Sequence, residues 1–200
     1  APSRGLGDVY KRQENHNHND IGSYAVALGK CTMVGDQGGP FSYPGDYFSA
    51  EAPEKYKIKG SFGHPVPVVD GKTQSSGAKA SAIVLKKEFT DVKDLLCIDY
   101  TSAYSTPSLD KLVRTFVYDR QGKGSFTVGD EFTANAPIRF ETAITTQANW
   151  KIIDDTHLLL TTGTEQMTVT IEASGKVAFT SETIEVNSPA YTPVSYTHLR

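Results

Sequence analysis

Hydrophobic and polar residues alternate along most of the chain from residue 21 onward, and a helical period is almost absent. Residues 23–28 and 31–36 flank Gly29-Lys30, a two-residue turn signal. This predicts a hairpin that returns Asp36 to its open end, the end that His18 enters. Further alternating runs cover residues 78–89, 95–102, 112–118, 125–132, 138–145, 150–153, 157–162, 167–173 and 177–180. Between them stand polar, Gly-bearing turns such as Asp119-Arg120-Gln121-Gly122-Lys123-Gly124 and Ser174-Gly175-Lys176, as hairpins demand. The spacing predicts an all-β fold, a large antiparallel β-sandwich, with a single domain over residues 14–193. From residue 38 to 63 the pattern breaks into Gly, Pro and aromatic residues, with at most a short helical turn at 48–55. A loop of this length in a compact domain usually carries function.

Neither end supplies a patterned apolar face. Residues 1–13 and 194–200 resemble translated sequencing-adapter read-through, so both are expected to be non-native tails that pack against nothing; the alternative is two native, poorly ordered tails. Hydrophobic content of 38% over 200 residues, with a net charge of -3, describes one ordinary soluble domain with a sizeable core. The mild negative balance argues against a nucleic-acid partner, and the apolar runs fall far short of a membrane span. Cys31 and Cys97 lie in strand-like runs and read as buried free thiols rather than a disulfide.

Candidate chemistry gathers in Glu14-Asn15-His16-Asn17-His18-Asn19-Asp20-Ile21-Gly22-Ser23, a composition no core needs. In an extended segment His16 and His18 would share a face. On the pair alone, two polar residues in a turn is as strong a reading as a metal dyad and a proton-transfer pair taken together. A cupin metal site also begins His-x-His, but its carboxylate would follow where Gly22 and Ser23 stand. Asp36 and His64 come from two other segments, and a His18, Asp36, His64 set suits zinc better than calcium or magnesium, which want more oxygen ligands. Tyr43, Tyr47, Lys55, Tyr56, Lys57 and Lys59 populate the long loop and suit either an acidic sugar chain or a solvated edge. His157, at a turn before Leu158-Leu159-Leu160, reads as structural.

The string from Asn15 to Ser23, the run ending Val34-Gly35-Asp36, and Ser61-Phe62-Gly63-His64-Pro65-Val66-Pro67 together resemble the heparinase II/III-like polysaccharide lyases, whose relatives include oligo-alginate lyases. The likeness extends through Arg114-Thr115-Phe116-Val117-Tyr118 and Gly129-Asp130-Glu131 to about Pro193. It implies a β-sandwich that normally follows an α/α toroid, with the cleft between the two. It further implies that His16 is catalytic, that His18, Asp36 and His64 hold a structural zinc, and that Asn15, Asn17, Tyr43 and Tyr56 contact substrate. The implied reaction is β-elimination on a uronic-acid-containing polysaccharide, alginate or a glycosaminoglycan. The implied location is periplasmic or secreted, and the implied partner is the toroid that supplies the remaining catalytic groups. This 200-residue chain alone is then expected to be inactive. The competing class is a non-catalytic carbohydrate-binding or structural β-module.

Overall fold

The structure, a computed structural model, describes residues 18–36, 43–49 and 51–184, and the backbone of 194–199. The predicted hairpin is present as β1 (Val26–Leu28) and β2 (Cys31–Val34), with Leu28 opposite Cys31. Gly29 turns the chain at φ +59, a conformation that costs glycine nothing. After a two-residue β3 (Val68–Val69), the strands β4 (Ile83–Phe89), β5 (Lys93–Asp99), β6 (Leu109–Asp119) and β7 (Ser125–Ala134) form an antiparallel meander in that order. Strands β8 (Phe140–Thr146), β9 (Asn149–Ile152), β10 (His157–Thr162), β11 (Glu165–Thr170), β12 (Phe179–Ile184) and β13 (Val194–Leu199) follow. They build a sheet ordered β12-β13-β8-β3 and a smaller one ordered β11-β10-β9. Every pairing among the described residues is antiparallel. Among the described residues helix is confined to α1 (Ala52–Lys55), with Pro53 near its start, and to 3-10 turns at Ser61–Gly63 and Thr101–Ala103.

The layers close over two main apolar clusters. The first joins Ile98 of β5 and Leu112 of β6 to Val69 of β3, Tyr100, Ala103 and Tyr104, with Phe140 of β8 packed against them. The second joins Met33 and Val34 of β2 to Ile144 of β8 and to Leu158 and Leu160 of β10. Strand β8 thus faces the large meander at one end and the hairpin at the other. Burying each such side chain contributes roughly 1.5–3 kcal/mol. Alternation on β6 is reset by an irregularity between Leu109 and Lys111. Leu109, Leu112 and Arg114 therefore all point inward, although simple alternation would split Leu109 from the other two.

Three expectations need correction. Residues 194–199 do not pack against nothing: as β13 they pair with both β12 and β8. Alternation there is short and polar, so the signal lay in the free edge of β8 rather than in the segment itself. Residues 78–82, read as the start of a strand, precede β4, which pairs with β5 from Ile83 to Phe89 across an irregularity between Val84 and Lys86. The thiols of Cys31 and Cys97 are free but half-buried, on β2 and β5 of separate sheets.

Candidate functional site

The site lies where two loops are tied to each other and to the large meander. Asn19, buried, is held by hydrogen bonds from its main chain and its side chain. Its backbone N–H donates to the Lys59 carbonyl at 3.0 Å, its carbonyl accepts the Ser61 hydroxyl at 2.7 Å, and its amide donates to the Gln74 carbonyl at 3.0 Å and to the Ser76 hydroxyl at 3.1 Å. The Gln74 side chain in turn accepts the Ile21 N–H and donates to the Ile21 carbonyl, both at 2.8 Å. A side-chain amide with both ends bonded to one backbone residue fixes that residue as a neighbouring strand would. The segment carrying His18 and the segment carrying His64 are thereby held in register.

His64 follows a 3-10 turn in which Gly63 passes so close to Ile58 that a Cβ there would lie 2.6 Å from the Ile58 Cα and 2.7 Å from its carbonyl oxygen. Only glycine admits that approach, which buries the His64 ring completely. Asp36 is delivered in a similar way. Gly35 bonds through its N–H to the Thr145 carbonyl at 3.0 Å and through its carbonyl to the Thr145 hydroxyl at 2.7 Å, and a Cβ on it would meet the Ala25 Cβ at 2.9 Å.

The result is the convergence that the sequence suggested. His18 Nδ1 stands 3.0 Å from His64 Nε2, and His64 Nδ1 stands 3.7 Å from Asp36 Oδ2. One donor atom from each of the three residues lies within 4.8 Å of the others. At zinc–nitrogen bonds of about 2.1 Å, tetrahedral donors stand about 3.4 Å apart. The two short contacts use opposite nitrogens of the His64 ring, so the side chains would have to draw together around one of them to seat an ion. His64 is sealed, His18 is half-buried and the Asp36 side chain is 47% exposed, which leaves one side of the group open. At 3.7 Å the His64 Nδ1–Asp36 Oδ2 pair is within ion-pair range and longer than a hydrogen bond. His16, Asn15 and Asn17 lie outside the described residues.

The loop aromatics divide into a surface and a core. Tyr43 is 55% exposed, whereas Tyr47 is buried against Tyr43, Phe48 and Tyr56. Tyr56 donates its hydroxyl to Asp46 at 2.5 Å, and that carboxylate, also held by Lys55, keeps the phenol above its usual value. Lys59 departs from the sequence reading. It is not a surface cation: only 1% exposed, it donates to the Tyr47 carbonyl at 2.6 Å and lies over the Tyr47 and Phe48 rings. His157 sits at the start of β10, bonded to Asp154 at 2.8 Å.

Sequence reasoning gave Arg114 and Asp130 no role, yet they anchor the whole arrangement. Arg114 is fully buried on β6 and directly opposite Asp130 on β7. Nε and Nη2 donate to the two carboxylate oxygens at 2.8 and 2.7 Å, and Tyr100 donates to the same carboxylate at 2.9 Å. Nη1 donates to two carbonyls, Gly22 at 2.7 Å and Pro65 at 2.8 Å. Burial pushes the guanidinium pKa down, but Asp130 more than reverses this and holds it above its ordinary value. The available signal was an arginine at an inward position of an alternating strand, between Leu112 and Phe116.

No family model matches the chain, and no curated protein matches it in sequence. Solved structures do. The heparan sulfate lyase HepC from Pedobacter heparinus superposes with a TM-score of 0.72 at 15% identity, over 94% of this chain and 29% of that one. A mutant of the same lyase gives 0.71 at 16% identity, over 95% and 29%. The chain therefore has the fold of one part of a polysaccharide lyase and spans less than a third of that protein's length. The antiparallel sandwich expected from alternation is the fold found, and the resemblance drawn from the motifs leads to the same kind of protein.

Proposed function

We propose that this chain is the β-sandwich part of a lyase that cleaves a uronic-acid-containing polysaccharide, alginate or a glycosaminoglycan, by β-elimination. The observation that carries the reading is the meeting of His18, Asp36 and His64, from three separate segments, on a sandwich with the fold of a heparan sulfate lyase. Two imidazoles and one carboxylate are a donor set that zinc accepts, with a fourth position left for water or another group. Zinc at this point would act as a structural tie between the His18 segment and the loop ending at His64.

In the reaction, the proton α to the uronate carboxylate is removed, the carbon–oxygen bond β to it breaks, and the electron pair forms the carbon–carbon double bond. The departing glycosidic oxygen takes a proton. His16 is the residue we assign to proton removal or relay, since a free imidazole titrates near neutrality. A metal-bound imidazole has its lone pair occupied, which is why His16 and His18 take different roles. Asn15, Asn17, Tyr43 and Tyr56 are assigned to substrate; the exposed Tyr43 ring can stack on a sugar face. The remaining catalytic groups would come from an α/α toroid, and the complete protein would act in the periplasm or outside the cell.

The test uses the complete open reading frame and this chain together. His16→Ala in the complete protein should abolish the unsaturated uronate product, followed by its ultraviolet absorbance, with zinc content and melting temperature retained. His64→Ala should remove zinc from both proteins. Product at the parent rate from His16→Ala, or a parent chain purified without chelator that holds no zinc, would overturn the corresponding role. If the complete protein made no unsaturated product from any uronic-acid polysaccharide, the binding-module reading would replace the lyase.

A further inference from the structure

His18 and His64 are 46 residues apart in sequence, yet their rings stand 5.0 Å apart between centroids. Something must hold two irregular segments together at a point where neither belongs to a strand. The neutral bonds of Asn19, Ser61 and Gln74 join the segments to each other. Arg114 joins both to the large meander, because one nitrogen, Nη1, reaches the Gly22 carbonyl, four residues after His18, and the Pro65 carbonyl, the residue after His64.

A planar guanidinium can do this and an ammonium cannot. Its bidentate pair with Asp130 fixes the plane, and the fixed plane aims the remaining N–H groups at two chosen points. The rings of Tyr24, Tyr100 and Phe116 surround it at 5.8, 5.7 and 6.0 Å, so it has no room to turn. A buried ion pair by itself adds little net stability compared with apolar residues of the same volume. What apolar residues could not supply is the double donation to the loops.

We propose that Arg114, anchored by Asp130, is the positioning residue of the candidate metal centre. It sets the main chain behind His18 and His64 so that the two imidazoles stand together before an ion arrives. The consequence for metal rests on the zinc reading above, whereas the preorganisation is a property of the metal-free chain and is measured separately.

Arg114→Met combined with Asp130→Leu and Tyr100→Phe removes the polar cluster without leaving a charge stranded. In the metal-free protein, amide hydrogen exchange at Asn19, Ile21 and Val66 should accelerate by about tenfold or more, the loss expected when a supporting shell is removed, while Leu158 and Leu160 keep their protection. Zinc affinity, measured by chelator competition, should weaken by about 10- to 100-fold. Arg114→Lys, which keeps the charge but not the fork, should lose part of that affinity with a melting temperature near the parent's, and it decides the matter if the triple variant does not fold. Leu158→Ala, in the other core cluster, should lower the melting temperature and leave both site readouts unchanged. Parent-like exchange and affinity in the Arg114 variants, or equal losses in Leu158→Ala, would overturn the proposal. If the parent binds no zinc the metal reading falls, and the exchange measurement alone judges Arg114.

Discussion

Two regions of this molecule reverse the usual sorting of side chains. Around the candidate site Arg114, Lys59, His64 and Gln74 are sealed inside, while on β4 Ile83, Leu85 and Phe89 are 65%, 50% and 67% exposed. The buried polar groups are answered largely by main-chain carbonyls and amides of irregular segments: Gly22, Pro65, Tyr47, Ile21. Each such bond fixes a loop that has no ladder of its own. The exposed apolar strand lies at the edge of its sheet and carries Lys86, Lys87 and Glu88, the kind of charges that discourage edge pairing. Polar burial here organises a site, and apolar exposure is what remains where nothing needs organising.

The largest effect should come from stranding the buried charge. Asp130→Leu leaves Arg114 inside without its carboxylate and should cost about 3–5 kcal/mol in urea unfolding. A loss below about 1 kcal/mol would mean that the loop carbonyls alone satisfy the guanidinium, and the ion pair would drop out of the comparison.

Next in size is the glycine that admits His64. Gly63→Ala puts a methyl group 2.6 to 2.8 Å from three backbone atoms of Ile58, and backbone yields less readily than a side chain. Overpacking of this kind should cost about 1–3 kcal/mol and reduce zinc uptake with it. Gly129→Ala, on β7 with open space around it, sharpens the contrast: it should be neutral or slightly stabilising. Equal melting temperatures for the two variants would remove close approach as the reason for Gly63.

How far these features could be read beforehand depends on range. Strands whose period is local, such as β10 and the β1-β2 hairpin, were legible from alternation and a Gly-bearing turn. So were His18, Asp36 and His64, because their residue types are unusual for their surroundings. Strand β3 was not legible: two valines carry no period, and only the presence of β8 makes them a strand. Gln74 and Asn19 were not legible either, since an amide becomes structural only when a segment 55 residues away presents a carbonyl. Lys59 was misread for the same reason, as the aromatic pocket that buries its stem exists only in the folded loop.

The exposed side of the comparison predicts little cost from its own mutation. Leu85→Thr with Phe89→Thr should change stability by no more than about 0.5 kcal/mol per site, since neither side chain leaves a cavity. Light scattering at high concentration should show less self-association than in the parent. A loss of several kcal/mol would show that β4 packs on something its exposure conceals.

The smallest expected effect concerns a surface turn, and it tests whether loop-fixing by side chains extends beyond the site. Asp154, between β9 and β10, accepts the Thr156 N–H at 2.8 Å, the Thr156 hydroxyl at 3.0 Å and His157 Nδ1 at 2.8 Å. The Thr156 amide, then His157, holds the carboxyl pKa at about 2. An unfolded aspartate titrates near about 3.9. The folded value is the lower one, so the contribution is fully present above about pH 4 and is lost as pH falls through about 2. Asn at this position can still accept from Thr156 but carries no charge. Asp154→Asn should therefore lower the melting temperature slightly at neutral pH, and the gap from the parent should close as the pH is taken from about 5 toward about 2. A gap that stays constant over that range would assign the effect to turn geometry instead of the ionised carboxylate, and the parallel between this turn and the buried site would fail.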